Sequence, residues 1–596
     1  MPSTDYGTQY RMPTASLTYN KTSIPSIFSG LVEDNGIISI EAEHYTSFMP
    51  ASDLNYTTLL GYYRTLSATT VSDPVAPIPY YLDGLNTTPP RPRAYVVQID
   101  DFDPQRRVYI TDQPAEARIK YPLKDHFFGI DLILDTIRNA KNHRHLEGTW
   151  HRYEKFGNTF TSRLINCHTV FTIDPENIKT ILATKFEDFK LSTIRVDAMV
   201  PIFGHGIFTT DGKARQHSRA LLRPTFAKES ISNFDTAECH FQHLLLCIPK
   251  NGATVDLQEL FFRYTMDTAT EFLFGHSVHS QTRARESIAA NAEAPDAEFV
   301  THYAYTQLEA SHNVRLGPLN KFHYNAKANL ARDKVFAYVD GLIDALFEKR
   351  AATLTLPQKE EMVDNDTGTK EKYIFLDALA NETSDRQVLR DQILNFLLAG
   401  RDTTASLLSN LFFELARRPD VWAKLREKVK ALEGRLPTYT DLRNMKYLKW
   451  CIDESLRLRP VVPANTREAI RDTFLPRGGG ADGNAPLFVK KGTQVLYSVY
   501  SMHRRRDFFG DNSEEFRPER WEGLQPRWEY LPFNGGPRIC LGQQFALTEA
   551  SFVVVRLLQE FAGIEARDEE PWMELYTLVV CSKNGVQVGL ARAERE

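Results

Sequence analysis

The sequence predicts a mainly helical protein of the α+β type, preceded by a small β-rich, incomplete N-terminal segment. Three observations lead there. Ser384 to Arg418 carries the longest helical pattern, with apolar residues recurring at Val388, Leu389, Phe396, Leu397, Leu408, Leu411, Phe412 and Leu415 until Pro419 ends it. Thr440 to Arg459 reads as a second capped helix that stops before Pro460. Residues 34–110 differ: Gly36-Ile-Ile-Ser-Ile-Glu-Ala-Glu-His-Tyr45 and Tyr95-Val-Val-Gln-Ile99 are strand-like, and Pro74, Pro77, Pro79, Pro89, Pro90 and Pro92 break the chain between them.

Composition narrows the class. The 596 residues are 42% hydrophobic and 25% charged, with 71 basic and 76 acidic side chains, which is ordinary for a globular protein and gives no basic excess for nucleic acid. Six cysteines, at 167, 239, 247, 451, 540 and 581, show neither zinc-site spacing nor a disulfide framework, so a reducing, intracellular compartment is expected. The polar start, residues 1–33, is expected to be disordered. It has no signal-peptide pattern, and no run of about eighteen apolar residues marks a membrane span in this chain.

In chain order, the main domain is expected over residues 116–596, with helical patterning from Tyr121 onward. A strand pair is predicted at Thr159–Arg163 and His168–Ile173, then a helix over Pro175–Ala183. His143, His145 and His151 cluster without metal-site spacing and read as a solvated face. Leu191–Phe208 reads as an apolar loop, and 280–298 and 353–372 as polar connectors. Ser384 with Gln387 predicts a capping box for the longest helix, about 50 Å long. In its middle, Ala399-Gly-Arg-Asp-Thr-Thr404 puts a glycine, a carboxylate and hydroxyls where each buried polar group needs a partner, which suggests function. Glu454 and Arg457 stand at i and i+3, on one helix face.

The most informative stretch is Phe533-Asn-Gly-Gly-Pro-Arg-Ile-Cys-Leu-Gly542, followed by the apolar helical run Phe545, Ala546, Leu547, Ala550, Phe552, Val553. Gly535, Gly536 and Gly542 permit turns and close approach that a Cβ would block. Loop N–H groups and the helix N-terminus suit a sulfur anion, so Cys540 reads as a thiolate metal ligand. Arg538 suits a nearby anion, and Phe533 shields the site. The stretch matches the haem-binding signature Phe-x-x-Gly-x-Arg-x-Cys-x-Gly, and from about residue 120 to 592 the chain resembles cytochrome P-450 monooxygenases.

The resemblance implies the cytochrome P-450 fold, haem b as cofactor, and Cys540 as the axial ligand of its iron. Thr403 is implied to hydrogen-bond the oxygen being activated, and Asp402 to pass protons inward beside Gly400. Asp211-Gly-Lys-Ala-Arg-Gln-His-Ser-Arg219 resembles the propionate-binding helix, with Arg219 in the family's arginine position and Arg215 where tryptophan is usual. Arg467 is implied to replace a propionate-binding arginine missing at Ala464. Glu454, Arg457 and Arg520 would form a buried structural network, and Val200, Phe203, Phe396, Val462 and Leu578 would line the substrate pocket.

Arg538 to Leu547 and Leu475-Pro-Arg-Gly-Gly-Gly480 look most like fungal alkane and fatty-acid hydroxylases. The implied partners are O2, an apolar small molecule and a separate NADPH-dependent reductase, since no flavin or nicotinamide domain is present. Fungal and animal relatives usually begin with a membrane anchor. This chain departs from them, which leaves a soluble protein, one held peripherally at the endoplasmic reticulum, or an altered N-terminus. Residues 34–115, through Glu33 to Tyr45, Tyr63 to Ala68 and Tyr81 to Asn86, resemble a truncated C-terminal β-sandwich of xylan α-glucuronidases. Two alternative functions stay open: a haem-thiolate enzyme of secondary metabolism, and a catalytically impaired fusion whose N-terminal segment binds polysaccharide.

Overall fold

The computed structural model describes residues 56–60, 65–69, 120–122, 129–164, 167–226, 234–286, 295–355, 373–480 and 482–593. The segment 1–33 and most of 34–115 lie outside them. The described pieces there are strands β1 (Tyr56–Leu60) and β2 (Thr65–Thr69), paired antiparallel with Tyr56 opposite Thr69. The chain divides into two units: Lys120–Thr473 with Val489–Glu596, and Met1–Ile119 with Phe474–Phe488.

The larger unit opens with helices α1 (Ile130–Lys141) and α2 (His145–Phe156). Strands β3 (Thr159–Leu164) and β4 (Cys167–Thr172) then pair antiparallel, within a residue of their predicted bounds. With β5 (Phe189–Leu191), β6 (Ala464–Ala469) and β7 (Gln494–Ser498) they form a five-stranded sheet of order β3-β4-β7-β6-β5, parallel only between β4 and β7. The three clustered histidines do not share one solvated face. His151 pairs with Glu147 and Glu154 on the surface, whereas His145 is deep enough that burial pushes its pKa down to about 4.

The helical part contains α3 (Thr193–Phe203), α4 (Gly212–Leu222), α5 (Leu257–Phe274), α6 (Pro295–Leu316), α7 (Arg386–Leu415), α8 (Lys446–Leu458) and α9 (Gln543–Glu560). The 30 residues of α7 span about 45 Å. It is buried on nearly every side, lying between two apolar clusters, so it is the central helix and shows no single apolar stripe. Its cap differs from the expected box: Asp385 takes the position, accepting from the N–H groups of Gln387 and Val388 at 2.9 and 3.2 Å. A carboxylate there also faces the positive end of the helix dipole.

Other expectations shift in the same local way. Leu191–Phe208 is a strand and a helix, not a loop, because Ala198, Met199, Ile202 and Phe203 recur at helical spacing and are buried together. Ser280–Glu286 is helical rather than a connector. Thr440–Arg459 divides at Met445: Thr438 and Asp441 form a capping box on Tyr439–Asn444, and α8 begins afresh at Lys446.

The side chains of Glu454 and Arg457 on α8 are wholly buried and paired twice, Nε and one terminal nitrogen donating to the two carboxylate oxygens at 2.9 Å each. Arg520 Nε donates to the same carboxylate at 2.8 Å, Trp521 Nε1 at 3.0 Å and the Arg517 N–H at 2.8 Å. Arg457 also donates to the carbonyls of His503 and Ser513. The cluster therefore ties α8 to the chain that leads toward Cys540. Arg457→Met is expected to cost about 3–5 kcal/mol, because it takes from the buried Glu454 side chain two of its hydrogen bonds and one of its two arginine partners, and leaves the His503 and Ser513 carbonyls without their donor. Urea unfolding measures this, and Glu454→Gln with Arg457→Met should recover part of the loss.

Candidate active site around Cys540

Cys540 lies in a loop shaped by its glycines. A tight turn at Gly536–Arg538 brings the Cys540 N–H to the Phe533 carbonyl at 3.0 Å. Gly536 has φ +62, and a Cβ there would collide with the Leu182 carbonyl. A Cβ at Gly542 would press on the Phe226 ring at 3.2 Å. Phe533 is partly buried against one apolar cluster. The Gly542 N–H, at the start of α9, donates to the sulfur.

The sulfur's surroundings combine two features. Cys540 is accessible to a water-sized probe, yet burial raises its thiol pKa, against the Gly542 N–H and Arg219. It therefore faces a space inside the molecule. The middle of α7 is also accessible: Ala399, Gly400, Arg401 and Thr403 are partly exposed between long buried stretches of the helix, and a Cβ on Gly400 would meet only Phe396, at 3.8 Å. A ladder of rings, Phe375, Phe396, Phe226 and Phe545, links this part of α7 to the start of α9.

Positive charge gathers around the loop. Arg215 and Arg219 on α4 donate to the carbonyls of Pro537 and Ile539 at 2.8 Å each. Arg538 pairs with Asp211 and donates to the Thr210 carbonyl at 2.8 Å. Arg467 on β6 is buried, bonds only Asn465 and its own strand's Thr466 carbonyl, and leaves Nε without an acceptor. Arg195 on α3 donates to Asn465 as well. Burial, then Arg467 and Arg538, pushes the Arg195 pKa down to about 10; burial also pushes Arg538 down to about 10, opposed by Asp211. Buried cations this poorly paired are costly unless an anion joins them. A dianionic porphyrin with two propionates and a thiolate-ligated iron fits this set.

On α7, Asp402 and Thr403 do not face each other, as adjacent helical residues do not. Asp402 is turned toward α6, where Gln307 donates to it, while Arg401 donates to its other oxygen at 2.8 Å. Burial raises its pKa; Arg401 and Gln307 act the other way. The Thr403 hydroxyl donates to the Ala399 carbonyl at 2.6 Å, keeping its lone pairs to accept. Of the expected pocket residues, Phe203, Phe396 and Leu578 belong to one apolar cluster, in which Phe203 is fully buried. Val200 is half-buried, and Val462 is exposed. Leu578 lies in the turn between β8 (Glu574–Tyr576) and β9 (Val580–Ser582).

Sequence reading missed Arg195, Asp211, Gln307 and Glu549. Gln307 gave no signal, since its partner is on another helix. Glu549 sits on α9 within the apolar run after Cys540, an interruption that could have drawn notice. The Thr268 hydroxyl donates to it at 3.1 Å, and burial pushes its carboxyl up to about 7 against Thr268 and Thr404.

A deep thiol on a glycine loop, ringed by under-paired guanidinium groups and opposed by an opened central helix, defines a haem-thiolate enzyme. The chain belongs to the cytochrome P-450 family, whose profile matches residues 130–590, and so to the haem b-dependent monooxygenases. It is similar to cytochrome P-450 monooxygenase himC of Aspergillus japonicus, 46% identical over 496 residues, which are 83% of this chain and 86% of that protein. Cytochrome P-450 monooxygenase fsdH of Fusarium heterosporum is 44% identical over 481 residues, 80% of this chain and 83% of that one. Cytochrome P-450 52A3-A of Candida maltosa is 44% identical over 455 residues, 74% of this chain and 85% of that one. Residues 30–79 match the glycosyl hydrolase family 115 C-terminal domain, in the region that resembles xylan α-glucuronidases. Among the described residues, no helix is long and apolar enough to cross a membrane.

Cys540→Ala is expected to abolish the thiolate-type Soret band in the reduced, carbon-monoxide difference spectrum, with the band present in the unaltered protein. Glu549 gives a pH-dependent expectation. Its folded pKa, about 7 against a usual 4.5, lies above the unfolded value, so the stabilisation from holding the proton is complete below about pH 4.5 and is lost as pH rises through 7. Glu549→Gln removes this dependence. From about pH 5 to about pH 8 the variant should gain on the order of 2–3 kcal/mol relative to the parent in urea unfolding; a constant difference would refute the shift.

Proposed function

We propose that this monooxygenase hydroxylates the terminal carbon of a long apolar chain, a fatty acid or n-alkane. The carrying observation is the accessible face of α7 formed by Ala399, Gly400 and Thr403, three uncharged residues beside the apolar ring of Phe396. The resemblance of Arg538 to Leu547 to fungal alkane and fatty-acid hydroxylases supports the same reading. Val200, Phe203, Phe396, Val462 and Leu578 shape the apolar side of the pocket in this proposal.

Cys540 is the iron ligand, and the Gly542 N–H steadies its sulfur. Phe533 and Gly542 let the porphyrin lie close to the loop, while Arg219, Arg467 and Arg538 neutralise propionates. Bound haem supplies the oxygen-activating redox chemistry. Gly400 leaves room beside it. Asp402, once it has taken up a proton from solvent, turns from Gln307 and donates to a lone pair of Thr403 Oγ1, whose own hydrogen leaves the Ala399 carbonyl and points inward. A separate NADPH-dependent reductase provides electrons. Peripheral contact with the endoplasmic reticulum belongs to the proposal, and the strongly exposed Phe322 and Tyr324 beside Leu319 support it.

The test is turnover of the purified full chain with a reductase and NADPH on long-chain fatty acids and n-alkanes. Terminal alcohols are expected; neither a substrate-induced Soret shift nor a hydroxylated product from any chain would sink the substrate reading. With a substrate found, Asp402→Asn should lower kcat about 100-fold, leave KM within about twofold and enlarge the solvent isotope effect, as loss of a proton donor requires.

A further inference from the structure

We infer that Arg215 sets the reduction potential of the haem: it is a surplus buried cation that favours the added electron. The inference rests on Cys540 being the iron ligand.

Arg215 is 6% exposed on α4. One terminal nitrogen donates to the Pro537 carbonyl within the cysteine loop at 2.8 Å, and the guanidinium lies 5.1 Å from the centre of the Phe186 ring. Its Nε is buried without an acceptor, and among the described residues no carboxylate pairs with it. Burial chiefly lowers the pKa values of Arg219 and Arg538, and the charge of Arg215 adds to the lowering in both.

The local charge does not balance. Around the loop stand Arg195, Arg215, Arg219, Arg467 and Arg538, and the carboxylate paired with any of them is Asp211. Haem adds two propionates, and the Cys540 thiolate cancels the net positive charge of a ferric porphyrin. Positive charge remains in excess. Asp211 is already taken by Arg538, so the whole charge of Arg215 is an addition to the site. In a water-poor interior that charge is weakly screened. Reduction of ferric to ferrous iron adds one negative charge to the centre, and the electron comes from the reductase. A nearby fixed cation stabilises the reduced state more than the oxidised one.

Arg215→Gln, Arg215→Trp and Arg215→Lys separate charge from anchoring. The readouts are the ferric/ferrous midpoint from dye-mediated titration and the haem-to-protein ratio. Arg215→Gln and Arg215→Trp should move the midpoint negative by about 60 mV, a tenfold change in the one-electron equilibrium, while Arg215→Lys stays near the parent. Haem-replete Gln or Trp variants with an unchanged midpoint would overturn the inference. Haem lost from both neutral variants but kept by Arg215→Lys would also overturn it, making Arg215 an anchor. Failure of the underlying ligand reading shows separately, as absence of the thiolate-type spectrum in the parent protein.

Discussion

A single buried carboxylate holds the frame on which the site depends. Glu454 accepts hydrogen bonds from Arg457, Arg520, Trp521 and the Arg517 backbone, four donors from two parts of the chain far apart in sequence. A carboxylate with no exposure needs its lone pairs filled, and each donor is fixed by that need. The pairing pins the segment that runs on through Tyr530, whose hydroxyl donates to the Asp453 carbonyl on the same helix, to the glycine loop. Specificity of position is its main product, because cysteine chemistry tolerates little misplacement.

The loop then presents the sulfur to an internal space rather than to bulk water. Burial raises the thiol pKa, so a free Cys540 would hold its proton, and in the proposed site coordination to iron would remove it. The arginines follow the converse logic. They are poorly paired in the protein alone, and in the proposed site two propionates would answer part of their charge, so that haem binding would add to the stability of this region.

Some of this was legible in the chain. Cys540 and its glycines form one short contiguous motif, and the Glu454–Arg457 spacing places both on one helix face. The long central helix announced itself through apolar recurrence, although its cap moved one residue, to Asp385, because a carboxylate answers the helix dipole better than a serine does. The stretch 191–208 misled because its apolar residues were read as loop packing, whereas Ala198, Met199, Ile202 and Phe203 make one helical face. Gln307, Arg195 and Asp211 were silent, as polar residues whose partners are distant in sequence.

The sequence by itself determined the family, the one cysteine set in a glycine loop, the order of the helices and the presence of an acid beside an alcohol at mid-helix. These are properties of local pattern: spacing, turn chemistry and residue type within a few positions. Tertiary structure decided which way Asp402 points, that Thr403 donates to its own helix, that Phe203 is wholly buried, and that five arginines meet around one loop. Orientation, burial and summed charge depend on which distant segments pack together, and no local pattern encodes that.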